Sequence, residues 1–210
     1  MSKKNLNKEK IDLKIASIQT GIKFLADGKS GFSLRDIARE IGVSHGAPGK
    51  HFGNKEGLLA AIAEEGFKKF NVYLENGFIP DKPKETFFSM GHSYVNFALE
   101  NPQHYSLMFG DDIVDRSEYE GLSRESEKAF GHLVNMIQWL QREQIIKNGP
   151  TLPLAFTVLS SMHGLVSLQI HGILQNSSKH LPMEKFDSID DVMPMLVDTV
   201  SSSLLNGMNT

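Results

Sequence analysis

The stretch from Ser33 to Lys55, SLRDIAREIGVSHGAPGKHFGNK, decides the fold of this chain. Leu34, Ile37, Ala38 and Ile41 recur at i, i+3, i+4 and i+7 and so make one apolar helix face. Ser33 precedes that face with Asp36 three residues on, the spacing at which hydroxyl and carboxylate close a helix start reciprocally. Gly42 offers the left-handed residue that ends the helix. Val43 is expected to plug the turn between helices. Ser44 is placed to cap a second short helix, His45 to His51, and Asn54 a third. Two short helices joined by a glycine-containing turn form a helix-turn-helix, whose second helix suits a DNA major groove.

Outward from this stretch the pattern stays helical. Ile11, Ile15, Ile18, Ile22 and Leu25 space out a first amphipathic helix that stops near Gly28, after a Lys-rich start. A long helix begins at Lys55 and fades by Gly77, and Pro80 and Pro83 mark a break between a head and a body. Helices are expected after Pro83, over about 117–147, over Leu154 to Leu174 and over Ile189 to Met208, the last two apolar nearly all round. No strand-like alternation is present, so the fold class is all-α.

Composition narrows the function classes. With no cysteine there is neither a disulfide framework nor thiol chemistry. The start MSKKNLNKEK lacks the apolar stretch of a signal peptide, and no unbroken apolar run approaches a spanning length, LLAAIA at 58–63 being among the longest. The expected setting is the cytoplasm, with no membrane partner. The net charge of -3 hides an asymmetry. Residues 1–70 carry 13 Lys and Arg against 8 Asp and Glu, whereas residues 71–210 carry 9 against 17. A basic head on an acidic body suits a head that meets phosphates.

Enzyme motifs are poor fits. GVSHG at 42–46 matches G-x-S-x-G, but the nucleophile elbow needs a strand before its serine, and an amphipathic helix stands there. GKS at 28–30 lacks the earlier glycine of a phosphate-binding loop. His163 and His171 share a helix eight residues apart, which is not adjacent-turn ligand spacing. No catalytic residue, metal site or cofactor is expected.

The run SLRDIAREIGVS, then HGAPGKHF, then GNKEGLLAAIAEEGF resembles the TetR family of bacterial regulators in register over about residues 10–70. MHGLVSLQIHG at 162–172 resembles the His-Gly element of one C-terminal subclass of that family. The resemblance implies a DNA-binding domain at 10–70 with its motif at 33–52, joined by helix 4 to a ligand-binding and dimerisation domain at 71–210. It implies a homodimer through the last two helices, a pseudo-palindromic double-stranded DNA operator and an unidentified small-molecule effector that relieves repression. Carried over by position, Ser33 and Arg35 meet the DNA backbone. Ser44, His45, Gly46, Pro48, Gly49 and Lys50 form the groove-facing segment, and His51 and Lys55 hold flanking phosphates. Lys50 can donate to guanine O6 and N7. Val43, Ala47 and Phe52 are expected to pack inward, and Lys3, Lys4, Lys8 and Lys10 to form a basic arm. For an effector cavity the sequence supplies Met90, Tyr94, Phe97, Phe109, Phe130, Trp139, Met162 and His163.

One position departs from the family. Gly49 stands where a tyrosine is usual, and with Gly46 and Pro48 it makes the second helix a poor helix former. The competing expectation is therefore a helical small-molecule-binding or interaction protein with a degenerate helix-turn-helix. An esterase working through Ser44 is a third.

Overall fold

A computed structural model describes residues 3–174 and 189–209, and the side chains of 13–174 and 192–209. Among the described residues all regular structure is helical. The helices are α1 (Lys3–Ala26), α2 (Leu34–Ile41), α3 (Gly49–Phe52), α4 (Lys55–Asn76), α5 (Pro83–Glu100), α6 (Pro102–Phe109), α7 (Glu120–Arg142), α8 (Thr151–Ile170) and α9 (Ile189–Gly207). A 3-10 turn, Arg116–Glu118, precedes α7. The chain divides into two compact units, Met1–Lys68 with Gln103–Ser126, and Lys69–Pro102 with Glu127–Thr210. The first unit thus takes in residues 103–126, beyond the head outlined by sequence.

In the first unit Ile37, Ala38, Leu58, Ile62 and Ala63 are fully buried, and the Phe24 and Phe32 rings meet at a tilt of 59°, centres 5.6 Å apart. The isoleucine series lies at the edge of the inward face of α1, with Ile18, Ile22 and Leu25 half-buried. Ile15 is 48% exposed, and Ser17, Thr20, Gly21 and Phe24 point inward instead. Ile62 packs directly on Gly21: a Cβ there would lie 2.8 Å from Ile62 Cδ1, so the glycine makes room for that side chain. The carbonyls at the end of α6 are closed by Arg116, which donates to Met108 O at 2.6 Å, Leu107 O at 3.0 Å and Gly110 O at 2.8 Å. Burial pushes the Arg116 pKa below the usual guanidinium range.

The second unit packs α5 against α8 and α9. Its core joins Phe87, Met136, Ile137, Leu140, Ala155, Val158 and Leu205. A second aromatic layer sets Phe70 against Tyr94 at 5.3 Å and against Phe97 at 5.0 Å. α8 carries no charged residue and is long and apolar enough, by length and composition, to cross a membrane. Counting only unbroken apolar runs missed this, because Ser, Thr, Gly and His interrupt them. Val158, Met162 and Val166 of α8 are buried, while Leu152, Phe156 and Leu168 are 53, 54 and 40% exposed. α9 is less apolar outward than its sequence suggests: Met193, Val197 and Leu205 face in, Met195 is 58% exposed, and Thr199, Ser202 and Ser203 complete the outer side.

Candidate nucleic-acid interface

The start of α2 is built by its own side chains. Asp36 N donates to Ser33 Oγ at 3.3 Å, while Ser33 N and Oγ donate to Asp36 Oδ2 at 2.9 and 2.7 Å. The bonds from the Ser33 hydroxyl and backbone hold the Asp36 carboxyl below the usual carboxylate range. Arg39 adds an ion pair to Asp36 at 2.6 Å. Ser33 therefore spends its hydroxyl proton on the cap. It has none left for a phosphate oxygen, and this end of α2 can offer DNA first-turn backbone N–H groups instead. Arg35 is exposed in that first turn. Gly42, at φ 73°, closes α2 with its N–H directed to Ala38 O and Arg39 O.

The segment after the turn departs from the expected helix. Residues 45–48 form turns, and α-helix proper begins at Gly49 with Pro48 at its N-cap and no side-chain cap. The Lys50 N–H reaches Gly46 O and Ala47 O only at 3.3 Å each. Two glycines and a proline within four residues remove the propensity and one donor that would wind it tighter. Ser44 accordingly caps a turn through its carbonyl, which accepts from Ala47 N at 2.9 Å. Asn54 does cap α4, its Oδ1 accepting from Gly57 N at 2.8 Å.

Ser44, His45 and Gly46 are exposed in one run, Lys50 is exposed four residues on, and Gly49 and His51 are half-buried. Pro48 is buried and cannot line a groove-facing surface. Val43 is 36% exposed rather than inward. Pro48 takes the inward place that the sequence assigns to Val43, with Ala47 and Phe52 half-buried beside it. The signal was available: Pro48 is the apolar residue between exposed Gly46 and Lys50. Lys55 donates to Ser30 O, and its ammonium lies 4.8 Å from the Phe32 ring centre. That lysine is tethered to the loop before α2 and keeps two N–H donors for a phosphate. Lys3, Lys4, Lys8 and Lys10 have side chains outside the described residues.

The expected effector residues do not gather. Phe97 is fully buried and Tyr94 nearly so, both in the aromatic layer with Phe70. Phe130 packs on Phe156 at 5.0 Å, and Met162 is buried near Gly91. Phe109 belongs to the first unit, edge-on to Phe67 at 5.9 Å. His163 lies 3.4 Å from Ser167 Oγ, and burial pushes its pKa down. Of the expected residues, Met90 and Trp139 meet at a cavity. It is an open cleft of about 600 Å³ in the second unit, lined also by Leu74, Glu75, Phe78, His132, Asn135, Met136 and Arg142. Among the missed residues Glu75, His132, Asn135 and Arg142 are charged or polar, which an aromatic inventory passes over, whereas Leu74, Phe78 and Met136 are apolar.

Comparison with known proteins places the chain. The profile of bacterial regulatory proteins of the tetR family matches residues 24–62, and that of the tetracyclin repressor-like C-terminal domain matches residues 87–191. The chain belongs to the TetR family. It is a DNA-binding transcriptional regulator with an N-terminal helix-turn-helix. The HTH-type transcriptional regulator YobS of Bacillus subtilis is 24% identical over 187 residues, 87% of each chain. The nucleoid occlusion factor SlmA of Vibrio vulnificus is 25% identical over 170 residues, 77% of this chain and 83% of SlmA. A Rhodococcus sp. RHA1 protein of unknown function superposes with a TM-score of 0.77 at 25% identity, covering 94% of this chain and 96% of that one. The TetR family transcriptional regulator PfmR from Thermus thermophilus shares the fold at a TM-score of 0.66 and 16% identity, over 93% of this chain and 99% of that one.

Proposed function

We propose that this TetR-family protein is a homodimeric, ligand-relieved repressor of the cytoplasm, with a DNA-binding domain at 10–70 and a ligand-binding and dimerisation domain at 71–210, and without enzymatic activity. The observation carrying this reading is the exposure of Ser44, His45 and Gly46, and of Lys50 four residues on, with exposed Arg35 and half-buried Lys55 on either side in sequence. Lys50 and His45 read base edges, while Arg35, His51, Lys55 and the backbone N–H groups opening α2 hold phosphates. Gly46 and Gly49 bring backbone, rather than side chains, towards the groove.

Dimerisation supports the same reading. Leu152, Phe156 and Leu168 stand outward on α8, with half-buried Gly164 between the last two and Met195 outward on α9. Exposed apolar surface of this kind is stabilised by cover, and pairing the same helices of a second copy supplies it with twofold symmetry. Two heads then address half-sites about 10 base pairs or a multiple apart. An effector releases DNA by favouring a dimer shape that fits the duplex less well.

A second reading, nucleoid occlusion, draws on the SlmA relatives alone, whereas YobS matches a larger share of the chain at similar identity. Titration of a labelled duplex from the protein's own upstream region, against a scrambled competitor, tests the regulator reading. Preference for the upstream duplex supports it. Equal affinity for both would leave the degenerate helix-turn-helix as the better description.

A further inference from the structure

The cleft of the second unit has a chemical polarity along its length. His132, Asn135, Met136, Trp139 and Arg142 fall at i, i+3, i+4, i+7 and i+10 of α7, one stripe of the helix, and all line the cleft. At a rise of about 1.5 Å per residue, His132 and Arg142 are roughly 15 Å apart along the axis. Between them Trp139 stacks with Phe78, ring centres 5.5 Å apart and planes inclined 29°. Phe78 is 54% exposed, so this aromatic pair presents a flat apolar surface to the cleft.

The two ends differ. At one end Glu75 pairs with Lys128 at 2.8 Å, and that bond holds its carboxyl below the usual range, so it is charged at neutral pH. Beside it, His132 Nε2 is buried without a hydrogen-bond partner among the described residues, 3.7 Å from Glu75 Oε1. That distance is too long for a direct bond, and a buried unsatisfied ring nitrogen is costly. A ligand hydroxyl satisfies both groups when a turn of the His132 ring brings Nε2 to the cleft that the residue lines, accepting from His132 Nε2–H while donating to Glu75. Burial also pushes the His132 pKa down, favouring the neutral ring. At the other end Arg142 is exposed, and no carboxylate among the described residues pairs with it. Its guanidinium suits a carboxylate, which Glu75 repels from the opposite end.

Resting on the ligand-relieved reading above, we propose that this cleft takes a flat, hydroxylated aromatic carboxylic acid. The ring system lies along Phe78 and Trp139, the carboxylate meets Arg142, and the hydroxyl bridges His132 and Glu75. The open volume suits a fused or two-ring acid better than a single small ring.

The test is calorimetric titration of the full-length protein with 6-hydroxy-2-naphthoate, whose hydroxyl and carboxylate lie at opposite ends. Two comparison ligands are 2-naphthoate, lacking the hydroxyl, and 6-hydroxy-2-naphthamide, lacking the charge. The hydroxy acid is expected to bind about tenfold more tightly than either. Arg142→Gln should weaken it by about tenfold and leave the amide unchanged. His132→Phe should abolish the difference between the acid with and without hydroxyl. Should that variant fail to fold, the exposed Arg142 variant and the three ligands on the wild type still decide. Equal affinity for all three ligands, indifference to Arg142→Gln, or no binding would each overturn the assignment.

Repeating the titrations with bound upstream duplex separates this proposal from the regulatory one. Ligand binding with these dependences but no release of DNA would refute ligand relief and leave the ligand class standing. Release by some other co-purified molecule, without naphthoate binding, would do the reverse.

Discussion

Gly49→Ala isolates the energetic weakness of the recognition segment. A Cβ built at Gly49 meets no atom within 4 Å, and the residue is not among the glycines with positive φ. The substitution therefore adds neither clash nor backbone strain, and its principal effect is on helix propensity. Gly costs about 1 kcal/mol relative to Ala in a helix interior. Gly49 is the first residue of α3, behind a Pro48 of helical φ and ψ, so that interior value is the upper end of the effect here. If winding of this segment is completed on DNA, each head gains at most about 1 kcal/mol and a dimer at most about 2 kcal/mol, a gain in Kd of up to roughly 30-fold. Fluorescence polarisation at fixed salt reads the change. Gly131→Ala in α7, also open to a Cβ, is the control: it should raise thermal stability and leave DNA affinity unchanged. Weaker operator binding by Gly49→Ala would refute the reasoning, because it would mean the backbone at 49 approaches the duplex more closely than a Cβ permits. A higher Tm with unchanged Kd would equally refute it, by showing the segment fully wound before binding.

Two further outcomes follow from the geometry. Ser33→Ala removes the hydroxyl that caps α2 and should cost about 1 kcal/mol of stability, read as a lower Tm. Because folding lowers the Asp36 pKa, its contribution is present above the ordinary carboxylate value and is lost as pH falls through the folded value. Acid unfolding should therefore be shallower in Ser33→Ala than in the wild type, and parallel curves would contradict the cap's role. Leu168→Glu places a charge on the outward face of α8 and should convert dimer to monomer in sedimentation without loss of helix. A dimer that survives it pairs through another surface.

Local chemistry was the legible part of this chain. The Ser33–Asp36 box, the left-handed Gly42 and the Asn54 cap each depend on residues within four positions, so spacing alone reveals them. What failed depended on close approach in space. The isoleucine series of α1 is half-buried at Ile18, Ile22 and Leu25, while Ser17, Thr20 and Gly21, the last packed under Ile62, occupy the most buried positions. Pro48 displaced Val43 as the inward residue because the segment from His45 to Pro48 turns rather than winds, which rotates its faces. The effector list failed for a related reason. Aromatic residues at helical spacing fill cores first, as Phe97 and Tyr94 do, and a cleft is marked instead by the polar groups a core excludes. Glu75, His132 and Arg142 are such groups, brought together by two helices distant in sequence.

The salt dependence of binding to the upstream duplex tests the central claim most directly. If Arg35 and Lys55 of each head neutralise phosphates as assigned, a dimer displaces about four counterions, and log K should fall against log salt with a slope of about -3.6 or steeper. Arg35→Ala should make that slope shallower by close to 2 units, one contact being lost from each head. A slope near zero, or one that Arg35→Ala and Lys55→Ala both leave unchanged, would contradict the account.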